Sequence, residues 1–403
     1  MKRNVFLRRI VTSLLALLLS LSCILPAVAE EGIVPISEDP DAVSDLGVAD
    51  GSLNLNCKSA ILMEATTGAI LYRQNCDEAL PPASVTKIMT LLLVMEAVDS
   101  GIAHMDSTVT VSANAASMGG SQVYLKEGEQ MKLEDLLKSV VIASANDAAV
   151  ALAEYVAGSV PSFVEKMNAR AAQLGMTETV FENVTGLDDT AEKHLTSAHD
   201  IALMSQALIR HEEILQYSSI WMDTIRDGAF GLTNTNRLVR FYPGCTGLKT
   251  GSTSKAGFCV SVTAERDGFS LICVVMGAES RDVRNAIATE LLDWGFANYG
   301  LYRADAGTAE PIAVTGGAVD SCTGSFGAFA CVLPKSKLSA VERKITVPQS
   351  ISAPIAKGAE IGTVEYLLEG KSIGAVSVVA NDDIPKINFF EVLNRIWTIF
   401  LLV

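Results

Sequence analysis

The sequence predicts a mixed α+β fold, an antiparallel sheet packed against a helical lobe, followed by a small all-β domain and a C-terminal amphipathic helix. Three observations carry that reading. Residues 53–302 run through a strand pair, a long block of helix-period segments, a second group of strands and a closing helix, the order of a sheet covered by helices. At residues 303–382 the texture changes to glycine, valine and short alternating runs such as Lys344-Ile345-Thr346-Val347 and Ala375-Val376-Ser377-Val378-Val379. Residues 383–403 end the chain on a helix with one narrow polar face. A length of 403 residues exceeds one ordinary domain and is enough for two full cores.

Taken in order, residues 1–29 have the pattern of a secretory signal. Lys2, Arg3, Arg8 and Arg9 form the basic region, Ile10 to Leu25 the apolar region, and Ala27-Val28-Ala29 a small-residue cleavage site. Cys23 suggests a lipoprotein, but Ser20-Leu21-Ser22 is a poor lipobox and the Ala-x-Ala site fits better. Without that leader the chain carries 27 basic and 46 acidic side chains, a net charge of −19. Such a balance argues against nucleic acid as a partner and against an electrostatic grip on anionic lipid. Residues 30–52 hold seven acidic and no basic residues, with Pro35 and Pro40, and read as a solvated linker.

Ser59 to Met63 and Ala69 to Gln74 then read as two strands around Ala65-Thr66-Thr67-Gly68. A buried helix from Ser84 follows, with helical patterns at Lys132 to Ala143, Asp147 to Ala157 and Phe163 to Leu174. Ser197 and Asp200 have capping-box spacing, which accounts for His199 and Asp200 as a helix start; His194 has no assignment beyond a loop. Strands are expected at Thr246 to Thr250, Gly257 to Glu265 and Phe269 to Met276, and a helix at Arg284 to Tyr299. In the last segment Asn388, Glu391, Arg395 and Thr398 share one face while Phe389, Phe390, Leu393, Ile396, Trp397 and Phe400 cover the rest. That segment is too short and interrupted for a comfortable transmembrane span, and an interfacial helix lying on a membrane surface fits better than one packed on its own domain.

Seven cysteines follow the leader. Cys57 with Cys76, and Cys259 with Cys273, flank hairpins and could pair in an exported protein, and Cys322 lies near Cys331. The odd count leaves at least one thiol free, and buried thiols are the preferred reading. No Cys-x-x-Cys or His-Glu-x-x-His spacing occurs, and four scattered histidines give no metal-site pattern, so neither metal nor cofactor is expected.

Three short patterns carry chemistry. Pro81 and Pro82 lead into Ser84-Val85-Thr86-Lys87, where one helical turn would set the Lys87 amine beside the Ser84 hydroxyl. A serine needs a neighbour to take its proton, and a lysine can do so when burial or nearby cations lower its pKa. Taken alone this is equally a surface helix start, and Ser252 with Lys255 repeats the spacing. Ser-x-Asn occurs at Ser52-Asn54, Ser112-Asn114 and Ser144-Asn146, and only the last lies in a turn between two helices that could project into a cleft; a simple helix cap is the alternative. Lys249-Thr250-Gly251 ends a strand, where an ammonium and a hydroxyl can bind a carboxylate and glycine admits a substrate close to the backbone.

In this order the three sets resemble those of the penicillin-recognising serine enzymes. The chain is similar to the low-molecular-mass penicillin-binding proteins that act as serine D-alanyl-D-alanine carboxypeptidases, from about residue 55 to its C-terminus. Gly119-Gly120-Ser121, Asp147-Ala148-Ala149 after the second motif, Asn183-x-Thr185-Gly186-Leu187 and Gly247-Leu248 before the third add to the match. The resemblance implies a β-lactamase/transpeptidase-like catalytic domain at the extracytoplasmic face of a bacterial membrane. It would act on peptidoglycan stem peptides, with β-lactams as covalent inhibitors. It also implies Ser84 as nucleophile, Lys87 as general base, Ser144 and Asn146 as proton relay and substrate orienter, and Lys249 and Thr250 as carboxylate binders. The backbone N–H groups of Ser84 and Ser252 would form the oxyanion hole. Ala145 stands where many relatives have glycine and Ser252 where several have histidine, which bears on substrate preference. A class A β-lactamase would need a Glu-x-x-x-Asn loop, which neither Glu178 nor Glu182 opens. An endopeptidase cutting cross-links shares the chemistry; a non-catalytic sensor would not need both nucleophile and base, and an envelope scaffold would need neither.

Overall fold

The computed structural model describes residues 53, 55–187 and 192–401, so the expected leader and acidic linker lie outside the described residues. Five antiparallel strands form the main sheet: β1 (Ser59–Glu64), β2 (Ile70–Gln74), β3 (Cys245–Thr253), β4 (Gly257–Arg266) and β5 (Phe269–Ala278). Their order is β2-β1-β5-β4-β3, so the N-terminal hairpin docks on the last strand, with Ser59 opposite Met276 and Glu64 opposite Leu271. Every residue of β1 is buried, because both faces of the sheet are covered. Strand alternation sends Ile61, Met63, Ile272 and Val274 into one core, and Leu62, Leu271 and Cys273 into another.

The first core belongs to the helical lobe. Its centre is α1 (Lys87–Asp99), which is buried from Lys87 through Met95 and reaches the surface only near its end, at Glu96 and Asp99. Around it lie α2 (Leu133–Ala143), α3 (Asn146–Ala157), α4 (Val160–Gln173) and α5 (Ala198–Ile209). Ser197 accepts a hydrogen bond from the Asp200 N–H, the cap its spacing predicts. The second core is closed by α6 (Arg281–Asn298), whose Leu291, Leu292 and Phe296 meet the far face of the sheet.

The strand Tyr299–Ala304 runs straight on from α6 and pairs with Phe329–Pro334, so residue 303 lies within a strand. Beyond it stand a five-stranded sheet, in the order 307–308, 324–326, 371–380, 360–368, 341–346, and a three-stranded one. The core of this all-β unit includes Phe329 stacked on Tyr366 at 4.0 Å. The terminal helix α7 (Phe389–Leu401) turns Arg395 toward this unit, where it bonds Asp320 Oδ1 at 2.6 Å and the Ala318 carbonyl at 2.8 Å. Its apolar residues remain outside, with Phe390 at 78% and Phe400 at 76% exposure. Among the described residues no helix is long and apolar enough to cross a membrane.

All seven cysteines of the described residues are free thiols. The hairpin register explains why the possible pairs fail. Ala60 lies opposite Gln74, which puts Cys57 and Cys76 out of step, and Cys273 faces Val262 and Leu62 rather than Cys259.

Candidate active site

The turn after Pro82 is tighter than the sequence pattern implies. Ala83–Thr86 form a 3-10 turn and the α-helix begins only at Lys87. Ala83 has φ +50°, a left-handed conformation that a residue with a Cβ adopts only under constraint. Lys87 is fully buried, and its Nζ lies 2.9 Å from Ser84 Oγ and 2.7 Å from the Thr185 carbonyl oxygen. Burial holds its pKa well below the ordinary lysine value; the Lys249 charge pushes the same way, and Asp147 opposes. A neutral amine at that distance can accept the Ser84 proton.

Thr185 is delivered by a loop built on Asn183, whose side-chain oxygen accepts N–H bonds from Thr185 at 3.1 Å and Gly186 at 2.7 Å. Gly186 has φ +80°, and a Cβ there would stand 1.8 Å from the Ala83 carbonyl oxygen. The loop thus presses its backbone directly against the Ser84 turn.

Ser144 sits between α2 and α3 with φ +63°, the left-handed break that lets two helices meet at a sharp angle. The Asn146 N–H donates to the Ser121 carbonyl and its side-chain amide to that of Gly119, both at 2.7 Å. Ser144 Oγ and Asn146 Oδ1 are buried without a hydrogen-bond partner among the described residues, as groups reserved for a substrate would be. The Asp147 carboxylate receives the Val123 and Leu125 N–H groups and so ties down the segment that follows Ser121. Ser112, by contrast, caps the short helix Ala113–Ala116 and bonds Glu154 together with Asn114, which makes the second Ser-x-Asn a structural cap. Ser52 and Asn54 lie outside the described residues.

The third motif stands on β3, at the edge of the sheet beside the Ser84 turn. Lys249 is buried, its Nζ donating to the Thr250 carbonyl at 3.0 Å. Burial, with help from Arg284, pushes its pKa down to about 7. Thr250 Oγ1 donates to Thr235 Oγ1 at 2.9 Å. A Cβ at Gly251 would lie 2.7 Å from the Ser84 backbone nitrogen, so only glycine lets the strand run this close to the turn. Ser84, Ser144, Thr250, Gly251 and Ser252 line one cleft of about 600 Å³, with Lys87, Asn146 and Lys249 buried behind that lining.

Several residues at the site had no sequence signal. Arg284 reads only as the start of a helix, yet it is buried, lines the cleft and charges the ground beside Lys249. Thr235, Arg237 and Trp221 complete the wall from loops of no distinctive pattern. His194, a bare loop residue in the sequence, is buried with its Nε2 2.7 Å from Thr86 Oγ1.

Comparison with known proteins gives the chain its family. A family model described as D-alanyl-D-alanine carboxypeptidase matches residues 47–280, and one for the penicillin-binding protein 5 C-terminal domain matches 327–386. The D-alanyl-D-alanine carboxypeptidase DacF of Bacillus subtilis (strain 168) is 40% identical over 381 residues, which cover 92% of this chain and 97% of that one. The structure of penicillin binding protein 5 from Haemophilus influenzae superposes with a TM-score of 0.74 at 32% identity, covering 83% of this chain and 99% of the other. Penicillin-binding protein D2 from Listeria monocytogenes, in its ampicillin-bound form, gives 0.56 at 34% identity over 60% of this chain and 99% of that one.

Proposed function

This chain belongs to the D-alanyl-D-alanine carboxypeptidase family and is a serine D-Ala-D-Ala carboxypeptidase, and from that premise we propose that Ser84 is the nucleophile and Lys87 its general base. The observation that carries the assignment is the 2.9 Å contact between Ser84 Oγ and a fully buried amine whose pKa is driven down by burial and by Lys249. Lys87 takes the Ser84 proton as Oγ attacks the carbonyl of the penultimate D-alanine. The backbone N–H groups of Ser84 and Ser252 receive the developing oxyanion. The C–N bond then breaks, and the proton passes to the leaving D-alanine amine through Lys87 and Ser144. Water hydrolyses the acyl-enzyme by the reverse relay.

Asn146 orients the stem-peptide backbone through its unpartnered side-chain oxygen. Lys249 and Thr250 bind the terminal carboxylate. An incoming carboxylate favours the charged form of Lys249, so binding itself supplies the cation that burial disfavours. A β-lactam carries both a carboxylate and a strained amide, and would acylate Ser84 by the same route. The test is release of free D-alanine from a diacetyl-Lys-D-Ala-D-Ala peptide by the purified protein. Release should stop on addition of stoichiometric penicillin. Covalent labelling without any release would point instead to an endopeptidase or a sensor, readings that the named relatives do not favour.

The protein is further proposed to work outside the cytoplasmic membrane and to adhere to that membrane through α7. The support is a helix whose polar side is spent on Asp320 and Ala318 while its aromatic residues face outward. The full chain should partition with membranes and come free in mild detergent, and removal of residues 389–403, which leaves the buried Ile384 and its bonds to Ile355 in place, should give a soluble protein. A full-length protein found entirely in the soluble fraction would sink the idea.

A further inference from the structure

We propose that His194 is a positioning residue for the acylation step, setting the backbone of the Ser84 turn through a hydrogen-bonded relay with Thr86 and the Ala83 carbonyl. The inference rests on the reading of Ser84 as nucleophile and adds a residue that none of the three motifs contains.

The relay has only one consistent set of protons. His194 Nδ1 lies 3.0 Å from the Glu182 backbone nitrogen, which can only donate, so Nδ1 is the unprotonated nitrogen of the ring. Nε2 then carries the proton and donates it to Thr86 Oγ1 at 2.7 Å. With that lone pair occupied, the Thr86 hydroxyl is free to donate to the Ala83 carbonyl oxygen at 2.8 Å. Each group gives one bond and receives one, and the relay ends on the peptide that joins Ala83 to the nucleophile. Burial pushes the His194 imidazole down to about 4, with Glu182 opposing, so the ring is neutral and keeps this tautomer at neutral pH.

The far end of the relay is where the backbone most needs holding. Ala83 is at φ +50°, a strained conformation that relaxes unless surrounding bonds fix it. Gly186 blocks movement of the same carbonyl from one side, and the Thr86 hydroxyl anchors it. The anchoring loop is itself rigid: Thr90 bonds the Val184 carbonyl at 2.8 Å, and Asn168 holds both the N–H and the carbonyl of Phe181, each at 2.8 Å. His194 therefore refers the position of the Ser84 turn to the same loop that supplies Thr185 to Lys87. A shift of that turn would move nucleophile and oxyanion donor together, since Ser84 supplies both.

The test compares Thr86→Val, His194→Leu and His194→Gln in the full chain. The readouts are the limiting acylation rate at saturating fluorescent penicillin, the apparent affinity before acylation, and the melting temperature. Thr86→Val and His194→Leu should each slow limiting acylation at least about tenfold, with apparent affinity changed less than about threefold. His194→Gln keeps an N–H donor near Nε2 and should recover to within about threefold of the unsubstituted protein. A folded Thr86→Val that acylates at the normal rate overturns the proposal, as does a His194→Gln as slow as His194→Leu. If His194→Leu does not fold, the other two decide. Ser84→Ala serves as the control for the underlying reading: labelling that persists there refutes the nucleophile itself, whereas its loss together with normal rates in the relay variants refutes only the positioning role.

Discussion

Ser84→Ala is expected to abolish both covalent labelling by penicillin and release of D-alanine, and Lys87→Ala to slow acylation by about 10²–10⁴-fold while leaving the fold intact. The two variants ask different questions. Without Ser84 Oγ no acyl bond can form, and binding alone leaves no covalent trace. Without Lys87 the hydroxyl remains in place but has lost the base that stands 2.9 Å away. The fold should tolerate the change because lysine burial is itself unfavourable, so loss of the amine's desolvation cost offsets part of the cavity left behind. Stopped-flow labelling and a melting curve on the same preparation check this. Near-normal labelling in Lys87→Ala would mean that the base lies elsewhere, and labelling of Ser84→Ala would mean a different nucleophile.

Gly186→Ala should be nearly as damaging to acylation although it removes no functional group. The added Cβ would sit 1.8 Å from the Ala83 carbonyl oxygen, a backbone atom that cannot rotate away. Relief requires either the 183–187 loop or the Ser84 turn to retreat, separating Thr185 O from Lys87 or Ser84 from its oxyanion geometry. The positive φ adds about 1–2 kcal/mol of intrinsic cost for any Cβ. Gly101→Ala separates the two effects, since Gly101 has φ +73° and open space around its Cβ position. Both variants should lose stability, but only Gly186→Ala should also lose acylation, by about 10²-fold or more, as a misplacement near 1 Å can do. Equal acylation rates in the two would show that the loop does not position the turn.

The elements were largely legible because their signals are local. Strand alternation at residues 59–74 and 245–278 and the apolar run Ile88 to Met95 each follow from a few neighbouring residues. The three motifs were legible for the same reason, with the third Ser-x-Asn singled out by its place between two helices. What escaped was whatever depends on register or on distant packing. Counting residues symmetrically about Thr66-Thr67 suggested a Cys57–Cys76 pair, but the bulge between Leu62 and Met63 changes the register by one residue. The spacing puts the helix start at Ser84, whereas a 3-10 turn over Ala83–Thr86, opening on the left-handed Ala83, comes first and the α-helix starts at Lys87. His194 meets Thr86 from a distant stretch of the chain, and no periodicity links them. Arg284 is a helix-opening arginine like many others until the fold buries it beside Lys249.

The docking of β1 against β5 has a consequence for how the molecule comes into being. The strand nearest the N-terminus is completed by the last strand of the sheet, and every helix of the lobe is made in between. Contacts of such long sequence separation are entropically slow to form, so this catalytic unit has the topology of a late, cooperative closure rather than of growth from one end. A nascent chain halted before Phe269 would hold Ser84, Lys87 and Lys249 yet leave β1 with an open edge and half its core exposed. The cleft is therefore complete only once the hairpin of β4 and β5 closes the sheet.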